Sequence, residues 1–288
     1  MLKKPLSKWI LMLLLIVPQA SFAFAHFGHR LICATAYELT APNTKVFIDT
    51  LVKTKGVAKS EDFVDGCTWP DVVRKTTHRE THEYHYMNVP KGFAFDHRRD
   101  CAAYDCVTQA IQRYALNLAD SDVSLRNKKE ALFFLGHFVA DIHQPLHVGY
   151  SEDRGGNTIN VFRSLRHKKS DINLHSLWDK DVPYKAGLGR SFAHTILLDK
   201  IGKQDRKSWQ GFDVIAWARA SHGIAKKFVY VLPNGSAVVN NTRLSEAYYD
   251  RANPVMIEQF MKASVRLAYL LDKGAMGQVK PGDFSVVK

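Results

Sequence analysis

Residues 129–157 read KEALFFLGHFVADIHQPLHVGYSEDRGGN, which sets His137, Asp141, His143 and His147 in and just after an apolar helical run. His137 and Asp141 are four residues apart. On a helix of 3.6 residues per turn they project from one face, one turn above the other, within reach of a single metal ion. Gln144 precedes Pro145, a pairing that disfavours helical backbone, so the helix is predicted to stop there and the chain to swing His147 back toward the same point. A histidine alone on an apolar helix is ordinarily a satisfied core residue, and His143 fits that description. The constellation reads differently. Leu132, Phe133, Leu135, Phe138 and Ile142 suffice to bury the helix, and an ionised Asp141 beside them is costly unless paired or metal-bound.

The same His-x-x-x-Asp spacing recurs at His175 and Asp179, and His29, Asp71 and His85 are further candidate ligands. Imidazole and carboxylate without thiolate suit catalytic zinc, which keeps positions open for water or substrate. The ligands are too many for one ion. A cluster of several zinc ions would use them, polarising a phosphate and lowering the pKa of a shared water.

The elements that must position these residues are mostly helical. Residues 28–39, 44–53, 104–118, 191–201, 212–230 and 244–271 carry helical periodicity, the last with a break at Pro254 as one reading, and Ser121 can cap or precede the helix ending near Gln144. Residues 174–182 read as a helix start. Residues 62–90 are dense in His, Asp and Arg with little periodicity, as expected of a segment that builds a site. Residues 157–164 alternate like one strand of a short hairpin with a basic tip at 166–169. The expectation is one all-α domain with a minor β-hairpin, spanning 24–276, followed by a loose tail at 277–288.

The 288 residues suffice for a sizeable single core. The first 23 read as a secretory leader: a lysine-bearing head, an apolar run too short to span a membrane, and small residues before the cleavage point. Cleavage after Ala23 releases Phe24; cleavage after Ala25 releases His26. Loss of Lys3, Lys4 and Lys8 lowers the formal charge from +12 to +9. A secreted or periplasmic protein of this charge suits a polyanion such as nucleic acid, although solubility alone explains such an excess. No second long apolar run follows, so no stable membrane association is expected. Cys33, Cys67, Cys101 and Cys106 fit an oxidising compartment and permit three pairings; a local Cys101–Cys106 loop is the simplest, leaving Cys33 with Cys67. Oligomeric state leaves no trace in the sequence.

The motifs FAHFGH (24–29), WPDVVR (69–74), HYMN (85–88), HFVADIHQPLH (137–147), DRGGN (153–157) and NLHSLWD (173–179) resemble the zinc-dependent single-strand nucleases and 3′-nucleotidases of the S1/P1 family, within the phospholipase C-like superfamily. The resemblance runs through nearly all of the chain after the leader. It implies three Zn²⁺. Asp71, His85, His137 and Asp141 would hold one; Asp141 would bridge to a second held by His29 and by the amine and carbonyl of Phe24; His147, His175 and Asp179 would hold the third. It further implies that Asp71 orients the attacking water, that Arg74 contacts phosphate, and that Tyr86, Asn88 and Asn157 meet the base. Asn88 stands where the fungal enzymes carry an aspartate. The implied substrates are single-stranded RNA and DNA and 3′-nucleotides, and the implied disulfides are Cys33–Cys67 and Cys101–Cys106. Two other readings compete: a zinc-dependent phospholipase C, and a nucleic-acid-binding protein with zinc only for structure. The first typically ends its ligand set on Glu, where this chain has Asp179. The second needs closed sites, against which the surplus ligands and Arg74 argue.

Overall fold

The computed structural model describes residues 26–55, 62–101, 105–166, 168–170 and 172–284. The leader, both cleavage points, Phe24 and Tyr104 lie outside these. The architecture is helical with a small sheet, and its centre is α7 (Leu125–Ile142). Its apolar residues Leu132, Phe133, Phe134, Leu135, Phe138, Val139 and Ile142 are all buried, each large side chain contributing about 1.5–3 kcal/mol. They pack against α1 (His26–Leu39), α2 (Pro42–Val52), α4 (Trp69–Val73), α6 (Val107–Ala119) and α12 (Glu246–Ala275). Of the shorter pieces, α3 (Phe63–Gly66) and a 3₁₀ turn (Arg79–His85) flank α4, while α5 (His97–Asp100) precedes α6.

Of the two readings for Ser121, the structure takes the second: it precedes α7, and the cap is Ser124, whose Oγ accepts from Asn127 N at 3.3 Å. Ser121 instead donates to Asp122 within a turn closed by Asp120. The helix stops at Ile142, and Pro145–Val148 follows as a 3₁₀ turn, as the Gln144-Pro145 step requires.

Strands β1 (Asn160–Phe162) and β2 (Ile172–Asn173) form the expected antiparallel hairpin, and β3 (Thr242–Arg243) adds a parallel partner to β1. From β2 the chain passes directly into α8 (Leu174–Ser176), a π-helical turn (Leu177–Asp181) and α9 (Val182–Lys185). Trp178 Nε1 donates to Tyr248 Oη at 2.8 Å, which fixes this segment onto α12. Then come α10 (Ala193–Gly202) and α11 (Val214–Ile224), the latter extended by a π-helical turn (Ala225–Val229).

Pro254 does not break α12. It and Asp250 are exposed, so the carbonyl deprived of its hydrogen bond faces water, while Tyr248, Tyr249, Ala252, Met256 and Phe260 on either side are buried in the core. The described part of the tail is not loose either. Val279 and Phe284 are buried, and the Phe284 ring meets Phe212 edge-on at 5.4 Å. Both cysteine pairs are bonded, Cys33–Cys67 and Cys101–Cys106.

Candidate metal centre

Five histidines and three aspartates from separate elements converge beneath the last turn of α7. His137 and Asp141 share a face as their spacing requires, with His137 Nε2 3.2 Å from Asp141 Oδ2. From α1, His29 brings Nε2 to 3.2 Å from Asp141 Oδ1 and stacks its ring on His137 at 4.0 Å. From the 3₁₀ turn that Pro145 opens, His147 returns toward the same point, its Nδ1 3.5 Å from Asp141 Oδ1. Asp71 on α4 places Oδ1 3.8 Å from Nε2 of both His85 and His137. His175 and Asp179 lie 3.6 Å apart on the segment after β2. The atoms that could ligate a metal cluster into His29/Asp71/His137, His85/His137/Asp141 and His147/His175/Asp179, each within 4.8 Å. All eight residues are buried.

Two features fit these groups to metal ions. First, the tautomers are set: Nδ1 of His85, His137, His147 and His175 lies 2.6–2.9 Å from the carbonyls of Thr81, Cys67, His85 and Gly155. A proton on Nδ1 donated to each carbonyl leaves the Nε2 lone pair pointing into the cluster, the arrangement of metal-ligating histidines. Second, inward atoms lack hydrogen-bond partners among the described residues: Nε2 of His85, His137 and His147, and Oδ2 of Asp141 and Asp179. Lone pairs facing one another at 3.2 Å repel unless a cation lies between. Two ligands on a tetrahedral zinc stand roughly 3.4 Å apart, close to the separations observed.

The electrostatics agree. Burial, and then the neighbouring His137, hold His29 below the ordinary histidine range and His85 well below it. Burial lowers His147 to about 3. Despite its burial, Asp141 is held well below the carboxylate range by His137 and His147, and His137 is raised against its own burial by Asp141 and Asp71. Burial pushes Asp179 up to about 6, opposed by His175. Protons compete with a metal for imidazole nitrogen, and burial keeps three of the five histidines, His29, His85 and His147, unprotonated near neutrality.

His143 is the core histidine its sequence suggests. Its Nδ1 lies 2.7 Å from Val139 O, and its Nε2 accepts from Arg266 at 2.7 Å, away from the cluster. A fourth grouping, His97 with Cys101 and Cys106, offers no metal site, because both sulfurs are in the disulfide and His97 Nε2 bonds Thr108 Oγ1.

Among the residues expected to meet substrate, Arg74 at the end of α4 pairs with Asp71 Oδ1 at 2.9 Å and keeps its side chain 11% exposed. Tyr86 follows His85 with its ring half-buried. Residues 87–89 run beside 147–149 through Met87 N→His147 O and Val89 N→Gly149 O, which carries Asn88 to the turn at 153–157. There Asn157 Nδ2 donates to Arg154 O at 2.8 Å. Gln144 has a part that spacing did not reveal: its Nε2 donates to Asp179 Oδ1 at 2.6 Å while its Oε1 accepts from Leu146 N. In sequence it is only the residue before a proline.

The S1/P1 Nuclease family model matches residues 24–275. Endonuclease 1 of Arabidopsis thaliana is 30% identical over 276 residues, covering 85% of each chain. Nuclease S1 of Aspergillus oryzae is 30% identical over 280 residues, covering 90% of this chain and 94% of that one. A solved structure, alpha toxin from Clostridium absonum, is similar with a TM-score of 0.43 and 13% identity, covering 86% of this chain and 64% of that one. With the family's match running from ahead of His29 through the whole of α12, and with both relatives aligned over most of their length, this chain belongs to the S1/P1 nuclease family.

Proposed function

We propose that this protein is an exported nuclease that holds three zinc ions, cleaves single-stranded RNA and DNA to 5′-phosphorylated products, and releases phosphate from 3′-nucleotides. The observation that carries the proposal is the convergence of buried, partnerless Nε2 and carboxylate atoms on one point, with a cation, Arg74, beside them. The family resemblance supplies the metal and the substrate class. Asp71, His85, His137 and Asp141 would hold one ion; Asp141, His29 and the amine and carbonyl of Phe24 a second; His147, His175 and Asp179 the third. The family match that begins at residue 24 supports cleavage after Ala23. Among the described residues no helix is long and apolar enough to cross a membrane.

When bound, zinc supplies positive charge to phosphate oxygens and lowers the pKa of water. The chain's own residues do the rest. Asp71, buried and inward-facing, accepts a hydrogen bond from the incoming water and aims it at phosphorus. Arg74, three residues on, offers a planar guanidinium that can fork onto two phosphate oxygens. Tyr86 presents a ring on which any base can stack, and Asn157 offers a polar edge. A single strand is required because a paired base cannot leave its duplex stack to reach such a ring. Attack breaks the P–O3′ bond, leaving a 3′-hydroxyl on one product and a 5′-phosphate on the other.

The test is incubation of the pure exported protein with single-stranded RNA, single-stranded DNA and phosphatidylcholine vesicles, each with and without chelator. The expected result is chelator-sensitive cleavage of both nucleic acids, 5′-phosphate ends and intact lipid. Products ending in 3′-phosphate, or cleavage of lipid alone, would overturn it.

A further inference from the structure

The turn at 153–157 has an unusual backbone. Arg154, Gly155 and Gly156 have φ of 55°, 63° and 79°, three successive residues in the left-handed region. The two glycines adopt it without cost, but Arg154 does not. Each is also crowded: a Cβ on Gly155 would lie 2.3 Å from Leu146 O, and one on Gly156 3.2 Å from the Leu146 side chain. The turn is thus wedged between the 3₁₀ turn carrying His147 and the segment carrying His175. Its carbonyls face His175, with Gly155 O 2.7 Å from the imidazole Nδ1 and Gly156 O accepting from the His175 backbone N at 3.3 Å.

What holds the turn in this shape comes from far along the chain. Asp153 Oδ1 accepts from Gly156 N at 2.6 Å and from Tyr230 Oη at 2.8 Å. Tyr230 Oη in turn accepts from Tyr150 N at 3.2 Å, and its buried ring packs on Tyr150 with centroids 4.6 Å apart. The hydroxyl therefore ties both ends of the 150–156 segment to one point. Gly149 leaves it room, since a Cβ there would come within 2.9 Å of that oxygen.

We infer that Tyr230 is a positioning residue for the third metal group: acting through Asp153, it locks the left-handed turn whose Gly155 carbonyl fixes the tautomer and aim of His175. The inference rests on the proposed zinc site, and it deepens that proposal by adding a residue outside every motif of the resemblance. Without the Tyr230 hydroxyl, Arg154 can relax out of the left-handed region, Gly155 O turns away, and His175 is no longer bound to present Nε2 to Asp179. Loss of such an orienting partner typically weakens a metal site by about 10- to 100-fold.

The experiment titrates the chelated protein with Zn²⁺ alone, against a chromogenic chelator and with no substrate present. Parent, Tyr230→Phe, Asp153→Ala and Asp153→Asn are compared. Tyr230→Phe and Asp153→Ala should each weaken one zinc ion by about 10- to 100-fold while the others bind as in the parent. Asp153→Asn keeps an acceptor oxygen and should recover most of the affinity lost in Asp153→Ala. In the chelated protein, imidazole nitrogen NMR should show His175 protonated at Nδ1 in the parent and as a tautomer mixture in Tyr230→Phe. Parent-like zinc binding and an unchanged His175 spectrum in Tyr230→Phe, with only a lower melting temperature, would overturn the inference. If Tyr230→Phe fails to fold, the two Asp153 variants decide by the same criterion. Because no substrate is present, a parent that binds zinc but leaves nucleic acid intact refutes the nuclease reading without touching this one.

Discussion

Alanine replacement of each cysteine pair in turn separates what the two disulfides do. Cys33–Cys67 closes a sequence separation of 34, and Cys101–Cys106 one of 5. Chain entropy assigns about 4 kcal/mol to the first bridge and about 2 kcal/mol to the second at 25 °C. All four cysteines are buried, so the packing lost to alanine is comparable and the two variants should differ by about 2 kcal/mol. The larger difference is in the site. Cys33 lies one turn beyond His29 on α1, Asp71 follows Cys67 by four residues, and the Cys67 carbonyl faces His137 Nδ1 at 2.7 Å. Gly136, beside His137, is pressed against this bridge: a Cβ there would lie 2.5 Å from Cys67 Sγ and 3.0 Å from Cys33 Sγ. The bridge therefore clamps three elements that carry candidate ligands, whereas Cys101–Cys106 clamps none. Urea unfolding of the chelated proteins should show the losses given above, and elemental analysis should show zinc depleted only in the Cys33→Ala/Cys67→Ala variant. Equal destabilisation, or full zinc in that variant, would refute the reasoning.

Asp141→Asn should deplete zinc, because its two oxygens face Nε2 of His29 and of His137, whereas Arg74→Ala should keep zinc and lower kcat by about 10²- to 10³-fold; elemental analysis beside steady-state kinetics on single-stranded RNA separates them. Asp179 is raised to about 6 in the fully buried, metal-free site, so between the ordinary carboxylate range and pH 6 the folded state binds more protons than the unfolded one, and stability falls as pH rises. Asp179→Asn should therefore stabilise the chelated protein by about 3 kcal/mol at neutral pH, with no gain near pH 3.5, while weakening zinc binding; denaturant titrations at both pH values check this. One extra Met ahead of Phe24 should remove the terminal amine from the site and lower both zinc content and RNA cleavage; undiminished values would show the amine is not a ligand.

The site was more legible in the sequence than the scaffold's details. Helical periodicity and one proline suffice to bring His137, Asp141 and His147 together, because α7 is regular and the Gln144-Pro145 step can only end it. Pro254 misled for a physical reason: a proline's missing hydrogen bond is cheap when the orphaned carbonyl faces water and buried side chains grip the helix on both sides. That Ser124, and not Ser121, caps α7 follows from turn geometry that composition does not encode. Strand β3 is two residues long and pairs with a partner some eighty residues away, and Phe284 becomes a core residue only once Phe212 is in place. Gln144 and Tyr230 were hidden for the same reason: each acts through one hydrogen bond to a residue distant in sequence.

The central claim is that the three buried groups of candidate ligands form one centre of three zinc ions, and elemental analysis of the protein, purified without chelator, measures it directly. The account predicts three zinc ions per chain, with cleavage of single-stranded RNA lost as they are removed and restored as they are returned. One zinc ion or none per chain in a fully active preparation would contradict it.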